Sequence, residues 1–415
     1  MGLRAWGERL RETDLRIGVR AERASTNAPP HRGTERGRGS FCARARRGHP
    51  FGCRREPSVT RPPLSPRPDL ADLEPYVSPQ RPARWRMNTN ESPYPPPPGL
   101  VDELSEQIAA LALNRYPDKD ARGLYRALAG YADWAADGLW AANGSNEVLM
   151  HLFLAYGGQT RTVLTFEPTY SLHSLIPRVA GTRIRNLWRD EDYVIDLEAA
   201  LEEIDRSAPD IVVVCSPNNP TGNCEPLSTV RALLGAAPGI VVVDEAYGEF
   251  ADPDESVRPL LAEHRNLVLV KTFSKAWRLA GARLGYMLAD PALVDGMARV
   301  RLPYHLSTLT QAVGQLALRY SDETLGMVES ITKQRGRLSV ELQAMGIKTF
   351  PSRANFVLFH TDDADTVFNR LLERDVLVRN YSSNPALRGC LRVTAGLPEE
   401  TDAFLEAMRW ILDES

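Results

Sequence analysis

The chain has 415 residues, of which 43% are hydrophobic and 25% charged, with a formal net charge of -3. That balance belongs to a globular protein large enough for two domains, and no apolar run approaches the roughly 20 residues of a membrane-spanning helix. Residues 1–68 hold 16 arginines, no lysine and 6 acids, a net of about +10, so the remainder carries about -13 and excludes a nucleic-acid footprint there. Cys42, Cys53, Cys215, Cys224 and Cys390 lack metal-type spacing, which predicts reduced thiols in a cytoplasmic protein and no metal site.

Residues 1–68 are rich in Arg, Gly, Pro and Ser and cannot bury enough apolar surface to fold. We expect a disordered extension, with the working chain starting near Val59. Glu8, Glu12, Asp14 and Glu22 argue against a transit peptide, and a secretory signal would need an apolar core. An N-terminal arm and first helix are expected over 69–108. Met87 to Tyr94, followed by Pro95 to Pro98, reads as a rigid extended arm. Val101, Leu104, Ile108 and Leu111 then fall on one helical face, Asn114 to Asp118 forms a loop, and Leu124, Leu128 and Tyr131 mark a further helix. Asn143-Gly144-Ser145-Asn146-Glu147 precedes the apolar helix Val148 to Tyr156. A Gly-Ser turn entering a helix presents free N–H groups and the positive dipole end to an anion, although an ordinary helix cap looks the same.

Strands and helices then alternate. Arg161 to Phe166, Arg183 to Trp188, Ile211 to Cys215, Ile240 to Val243, Leu267 to Val270 and Leu284 to Leu288 read as strands. Leu197, Leu201 and Ile204 after the cap Asp196 exemplify the helices between them. Near-continuous Val/Ile/Leu strands with helical crossovers predict an α/β fold, a mostly parallel sheet covered on both faces. We assign a large domain to 109–305 and a smaller α+β domain to 306–415. In the latter, Ala354 to Phe359, Val376 to Arg379 and Leu391 to Thr394 read as short strands.

Ligands of such sheets bind at the carboxyl ends of the strands, so the polar residues there carry the functional signal. Ser216-Pro217-Asn218-Asn219-Pro220-Thr221-Gly222 follows one strand, Asp244-Glu245-Ala246-Tyr247 the next, and Lys271-Thr272-Phe273-Ser274-Lys275 the one after. Glu167-Pro168-Thr169-Tyr170 follows an earlier strand. The chain has only five lysines, Lys119, Lys271, Lys275, Lys333 and Lys348, in a sequence otherwise committed to arginine. An amine that must lose its proton to attack a carbonyl has to be lysine, which points to Lys275. A pyridine aldehyde phosphate would use all of these groups. Lys275 would hold the aldehyde and Asp244 would keep the ring nitrogen protonated. Asn219 and Tyr247 suit the ring hydroxyl, and Tyr170 suits the ring face. Ser145, Asn146, Thr272, Ser274 and Arg283 suit the phosphate. Taken singly, each has a plainer role as a cap, a core aromatic or a surface ion pair; their arrival together at consecutive strand ends does not.

These motifs resemble those of the fold-type I aminotransferases that use pyridoxal phosphate, from about Asp69 to the C-terminus. Asn90-Glu91-Ser92-Pro93-Tyr94, Arg115-Tyr116-Pro117-Asp118, Pro303-Tyr304-His305-Leu306-Ser307 and Cys390-Leu391-Arg392-Val393-Thr394-Ala395-Gly396 are most similar to the histidinol-phosphate branch of that family. Ser92 stands where asparagine is common in that branch. The resemblance implies a pyridoxal-phosphate enzyme with 2-oxoglutarate as amino acceptor, and a homodimer with shared active sites. It implies a cis Asn219–Pro220 bond, Glu147 among the cofactor's neighbours, and Tyr116 reaching the phosphate of the partner's cofactor. Arg392 would bind the carboxylate of the amino-acid or keto-acid partner, Arg379 would help bind a substrate phosphate, and Asn90 and Tyr94 would line the substrate side. Within the same fold, an aromatic amino acid donor or a phosphothreonine-type decarboxylation are alternatives. A cofactor-sensing DNA-binding regulator is a remoter one, because proline and glycine interrupt the basic N-terminus and it lacks the periodicity of a helix-turn-helix unit.

Overall fold

The computed structural model describes residues 64–71, 73 and 81–414, so the expectations for residues 1–63 lie outside the described residues. The arm contributes β1 (Trp85–Arg86). A central sheet follows from β2 (Leu139–Ala142), β3 (Thr162–Glu167), β4 (Arg183–Trp188), β5 (Ile211–Cys215), β6 (Ile240–Asp244), β7 (Leu267–Thr272) and β8 (Gly285–Leu288). Its strand order is β2-β8-β7-β6-β5-β3-β4, with only β8 antiparallel to its neighbours.

The unbroken apolar runs arise because successive side chains of a strand point to opposite faces and both faces are covered. Val212 and Val214 of β5, Val241 and Val243 of β6, and Leu267 and Leu269 of β7 enter one core with Leu124, Leu128 and Trp277. Their neighbours Ile211, Val213, Val242, Val268 and Val270 enter the other with Leu149, Leu152 and Phe153. The helix Leu197–Ser207 starts as expected at Asp196, whose side chain accepts from the Ala199 amide at 3.1 Å.

A smaller antiparallel sheet has the order β12-β13-β10-β9, built from β9 (Lys348–Thr349), β10 (Phe356–His360), β12 (Arg379–Asn380) and β13 (Cys390–Thr394); β11 (Val376–Leu377) pairs in parallel with β1. Phe356, Phe359, Val393, Phe404 and Met408 lie in its core with Leu338 and Leu342 of the helix Val328–Ala344. Leu306, Leu316 and Ala317 pack into the core of the larger sheet, whereas Ile331, Leu338 and Leu342 pack into the core of the smaller one.

One strand was not expected, and one reading is corrected. Leu139–Ala142 is a strand, held between β8 and solvent-excluding helices despite its two alanines. In the first helix, Pro98–Ala110, Leu100 is the buried residue, while Val101 and Ile108 remain 43% and 41% exposed. Among the described residues no helix is long and apolar enough to cross a membrane.

Candidate active site

The carboxyl ends of β3, β5, β6 and β7 open into a cavity of about 500 Å³, roofed by the arm and by the β12–β13 side of the smaller sheet. Lys275 follows β7 and reaches into it. Its Nζ donates to the Thr89 carbonyl at 3.0 Å and lies 5.8 Å from the Tyr247 ring centroid. Burial and the guanidinium of Arg392 pull its ammonium down to about 8, aided by Arg283 and opposed by Glu91. An amine held there offers far more of its free base near neutral pH than an ordinary lysine does.

Asp244 ends β6 and is buried. Its Oδ2 meets His173 Nε2 at 2.9 Å, and its Oδ1 accepts from the Ala246 amide at 3.0 Å. His173 Nδ1 lies 3.3 Å from Thr169 Oγ1, which donates to Asn218 at 2.8 Å. The Cys215 thiol shares this floor, and burial raises its pKa far above the ordinary thiol range. On the other side, the Tyr247 hydroxyl accepts from Asn90 Nδ2 at 2.9 Å and from Asn219 Nδ2 at 3.4 Å. Burial pushes this phenol up as well, so it keeps its proton. Asn219 leaves its loop through a cis peptide bond to Pro220, and Ser216–Pro217 and Glu167–Pro168 are cis too.

At one end of the cavity the helix Ser145–Tyr156 starts without a side-chain cap, because its N-cap is Gly144 at φ 91°. A Cβ on Gly144 would sit 2.6 Å from Arg283 Nη2, and one on Gly285 would sit 2.2 Å from the Ser145 nitrogen. Glycine is therefore required twice to bring Arg283 and the uncapped amides together. Thr272 and Ser274 stand beside them, joined by a 3.1 Å hydrogen bond. At the other end Arg392, 4% exposed, donates from Nη1 to Asn219 Oδ1 at 2.5 Å and to the Tyr381 hydroxyl at 2.8 Å, and from Nη2 to the Asn88 carbonyl at 2.8 Å.

The model of the family described as aminotransferase class I and II matches residues 85–408. The chain belongs to that family. A histidinol-phosphate aminotransferase of Mycobacterium avium is 44% identical to this aminotransferase over 365 residues, covering 86% of this chain and 91% of the relative. The enzyme of that description from Thermobifida fusca is 45% identical over 348 residues, covering 82% and 94%. Among solved structures, histidinol-phosphate aminotransferase from Sinorhizobium meliloti in complex with pyridoxal-5'-phosphate has a TM-score of 0.76 at 24% identity, covering 84% of this chain and 97% of its own, a likeness of fold.

The aminotransferase brings Lys275, Asp244, Tyr247, Ser145, Asn146, Tyr170, Asn219, Thr272, Ser274, Arg283, Arg392, Arg379 and Asn90 to the one cavity. Three expected residues lie elsewhere. Glu147 turns back to brace the Gly-Ser turn, accepting from the Asn143 amide at 2.5 Å and from Asn143 Nδ2 at 2.7 Å. Tyr94 packs half-buried against the core of the smaller sheet. Tyr116 is 80% exposed and stacks on Tyr304 at 4.5 Å between ring centroids. Sequence reasoning missed Thr89, His173 and Tyr381. His173 lies one helical turn beyond Tyr170, the only spacing that could have drawn attention to it.

Proposed function

We propose that this aminotransferase uses pyridoxal phosphate to transfer an amino group from L-histidinol phosphate to 2-oxoglutarate. The observation that carries the reading is geometric: Lys275 reaches into one cavity with the buried Asp244 carboxylate and the buried Arg392 guanidinium. The residues fit the cofactor. The uncapped Ser145 and Asn146 amides with Thr272, Ser274 and Arg283 offer a phosphate cradle that a Cβ on Gly144 would fill. Lys275 would hold the aldehyde, Asp244 the ring nitrogen, Asn219 and Tyr247 the ring hydroxyl, and Tyr170 the ring face. When bound, the cofactor supplies a cationic ring into which charge from a broken C–H bond spreads.

With its Nζ placed by the Thr89 carbonyl, Lys275 would act as the general acid–base, taking the substrate Cα proton and delivering it to the carbon that carried the cofactor's aldehyde. Asp244 would meet the ring nitrogen, its Oδ2 held by His173 Nε2 at 2.9 Å. Arg392 meets its neighbours only through neutral acceptors, so among the described residues no carboxylate competes with a substrate anion for it. Arg379 lies beside it to take a phosphate.

The unit would be a homodimer. Val101, Ile108, Leu113, Tyr116, Leu302 and Tyr304, all exposed, leave apolar surface around the expected shared-site residue Tyr116. The described cysteines Cys215, Cys224 and Cys390 are free thiols, which suits a cytoplasmic enzyme.

The test is glutamate formation by the cofactor-loaded protein from 2-oxoglutarate and L-histidinol phosphate, with phenylalanine as a parallel donor. Turnover with histidinol phosphate well above that with phenylalanine is expected; the reverse preference would move the enzyme to aromatic transamination.

A further inference from the structure

In the β12–β13 ladder Arg379 stands directly opposite Arg392, a cross-strand pair of like charges that the fold must hold against repulsion. The side chain that deals with both is Tyr381. Its hydroxyl accepts from Arg392 Nη1 at 2.8 Å. Its ring centroid lies 5.8 Å from the Arg379 guanidinium carbon and 5.5 Å from that of Arg392, within reach of the ring's negative face. Tyr381 is itself fixed. Its amide donates to the Cys390 carbonyl at 3.1 Å, its carbonyl accepts from the Asn384 amide at 2.8 Å, and its ring packs on the cluster of Tyr193, Phe350, Leu358 and Leu387. Arg392 Nε is buried with no hydrogen-bond partner, so this guanidinium keeps a donor in reserve.

We infer that Tyr381 is a positioning residue for substrate anions. It holds Arg392 by its hydroxyl and Arg379 by its ring face, so that the two guanidinia present one pre-formed site to the phosphate of the amino donor and to a carboxylate of the keto acid. This inference rests on the proposed reaction for the identity of those anions, and on the geometry alone for the role of Tyr381. The hydroxyl and the ring act on different arginines, so they separate by substitution. Tyr381→Phe keeps the ring and removes the acceptor; Tyr381→Leu removes both.

The experiment uses the full cofactor-loaded chain and two non-reacting probes, glutarate for the dicarboxylate and inorganic phosphate, with binding measured by calorimetry beside steady-state kinetics. In Tyr381→Phe, glutarate binding and the KM for 2-oxoglutarate are expected to weaken about tenfold, the loss of one hydrogen bond to a charged group, with kcat within about twofold of the parent. Tyr381→Leu is expected to weaken phosphate binding as well. A Phe variant that binds glutarate like the parent, or that loses kcat with KM unchanged, overturns the positioning role while leaving the proposed reaction intact. A parent protein that binds neither probe overturns the anion site itself and the inference with it. An intact far-ultraviolet spectrum and unchanged cofactor absorbance in both variants exclude a folding defect as the cause.

Discussion

The two walls of the cavity are built on different principles. The wall from the larger sheet consists of groups at strand ends, held by short local connections to buried β-strands: Asp244 closes β6 and Lys275 follows β7 by three residues. Their partners, His173 and Thr89, are fixed and buried or backbone. The wall from the smaller sheet consists of arginines on neighbouring antiparallel strands, of which Arg392 donates to neutral acceptors drawn from the arm, the larger sheet and the loop after β12. The first wall is suited to holding one group in one orientation. The second presents cationic donors that accept anions of different shape, as a reaction with two successive substrates requires. A change on the first wall should therefore lower kcat, and a change on the second should raise KM.

Lys275→Ala is the sharpest test of that division. It removes both the anchoring amine and the side-chain base placed beside the Thr89 carbonyl, and turnover is expected to fall by about 10³-fold or more, on the scale of general acid–base catalysis. Normal multiple-turnover rates in this variant would end the proposed mechanism. Asp244→Asn comes next. The amide keeps the shape but loses the buried carboxylate opposite His173, and kcat should fall by roughly 10²- to 10³-fold, the usual cost of removing one pre-organised electrostatic group. Steady-state kinetics with both substrates would show whether KM stays nearly constant, as the comparison of the walls demands.

The first wall was far more legible in the sequence than the second, for a physical reason. Parallel strands buried on both faces read as apolar runs, and ligand groups follow such runs directly, so Asp244, Asn219, Thr272 and Lys275 could be placed from local order alone. His173 and Thr89 could not, because they meet Asp244 and Lys275 across 71 and 186 residues of chain. Tyr381 was missed for a related reason: Asn384-Pro385 and Gly389 mark a turn in the loop Ser382–Gly389, but not which side chain that turn sets beside Arg392. Leu139–Ala142 escaped because its four residues, two of them alanine, carry no β-branched signal and become a strand only through pairing with β8. Glu147, expected among the cofactor's neighbours, belongs to the turn that lines the cavity, and its carboxylate accepts from Asn143.

On the second wall, Arg392→Gln keeps hydrogen-bonding capacity toward Asn219 and Tyr381 but removes the charge. The KM for 2-oxoglutarate should rise by about tenfold to a hundredfold, the worth of a charge-assisted pair, with a smaller change in kcat than in Asp244→Asn. Equal losses in kcat and no change in KM would mean that the two walls are not functionally separate.

The smallest effect tests where the walls touch. Arg392 is one of the cations that hold the Lys275 ammonium down to about 8, second only to burial. Attack on the cofactor's aldehyde needs the neutral amine, so in the cofactor-free protein the rate of pyridoxal-phosphate uptake should rise with pH through a midpoint near 8 and level off above it. A pH unit below the midpoint only about a tenth of the amine is neutral, so the rate should drop roughly tenfold per unit there. In Arg392→Gln the repulsion is gone, the ammonium is easier to keep, and the midpoint must move up, toward the ordinary lysine range. Stopped-flow absorbance of the bound cofactor, from about two pH units below the midpoint to about two above it, reads both curves. An upward shift of about half a unit would show that the substrate wall tunes the reactive amine through space. A downward shift would mean that desolvation alone sets that pKa, and that the new glutamine has only deepened the burial.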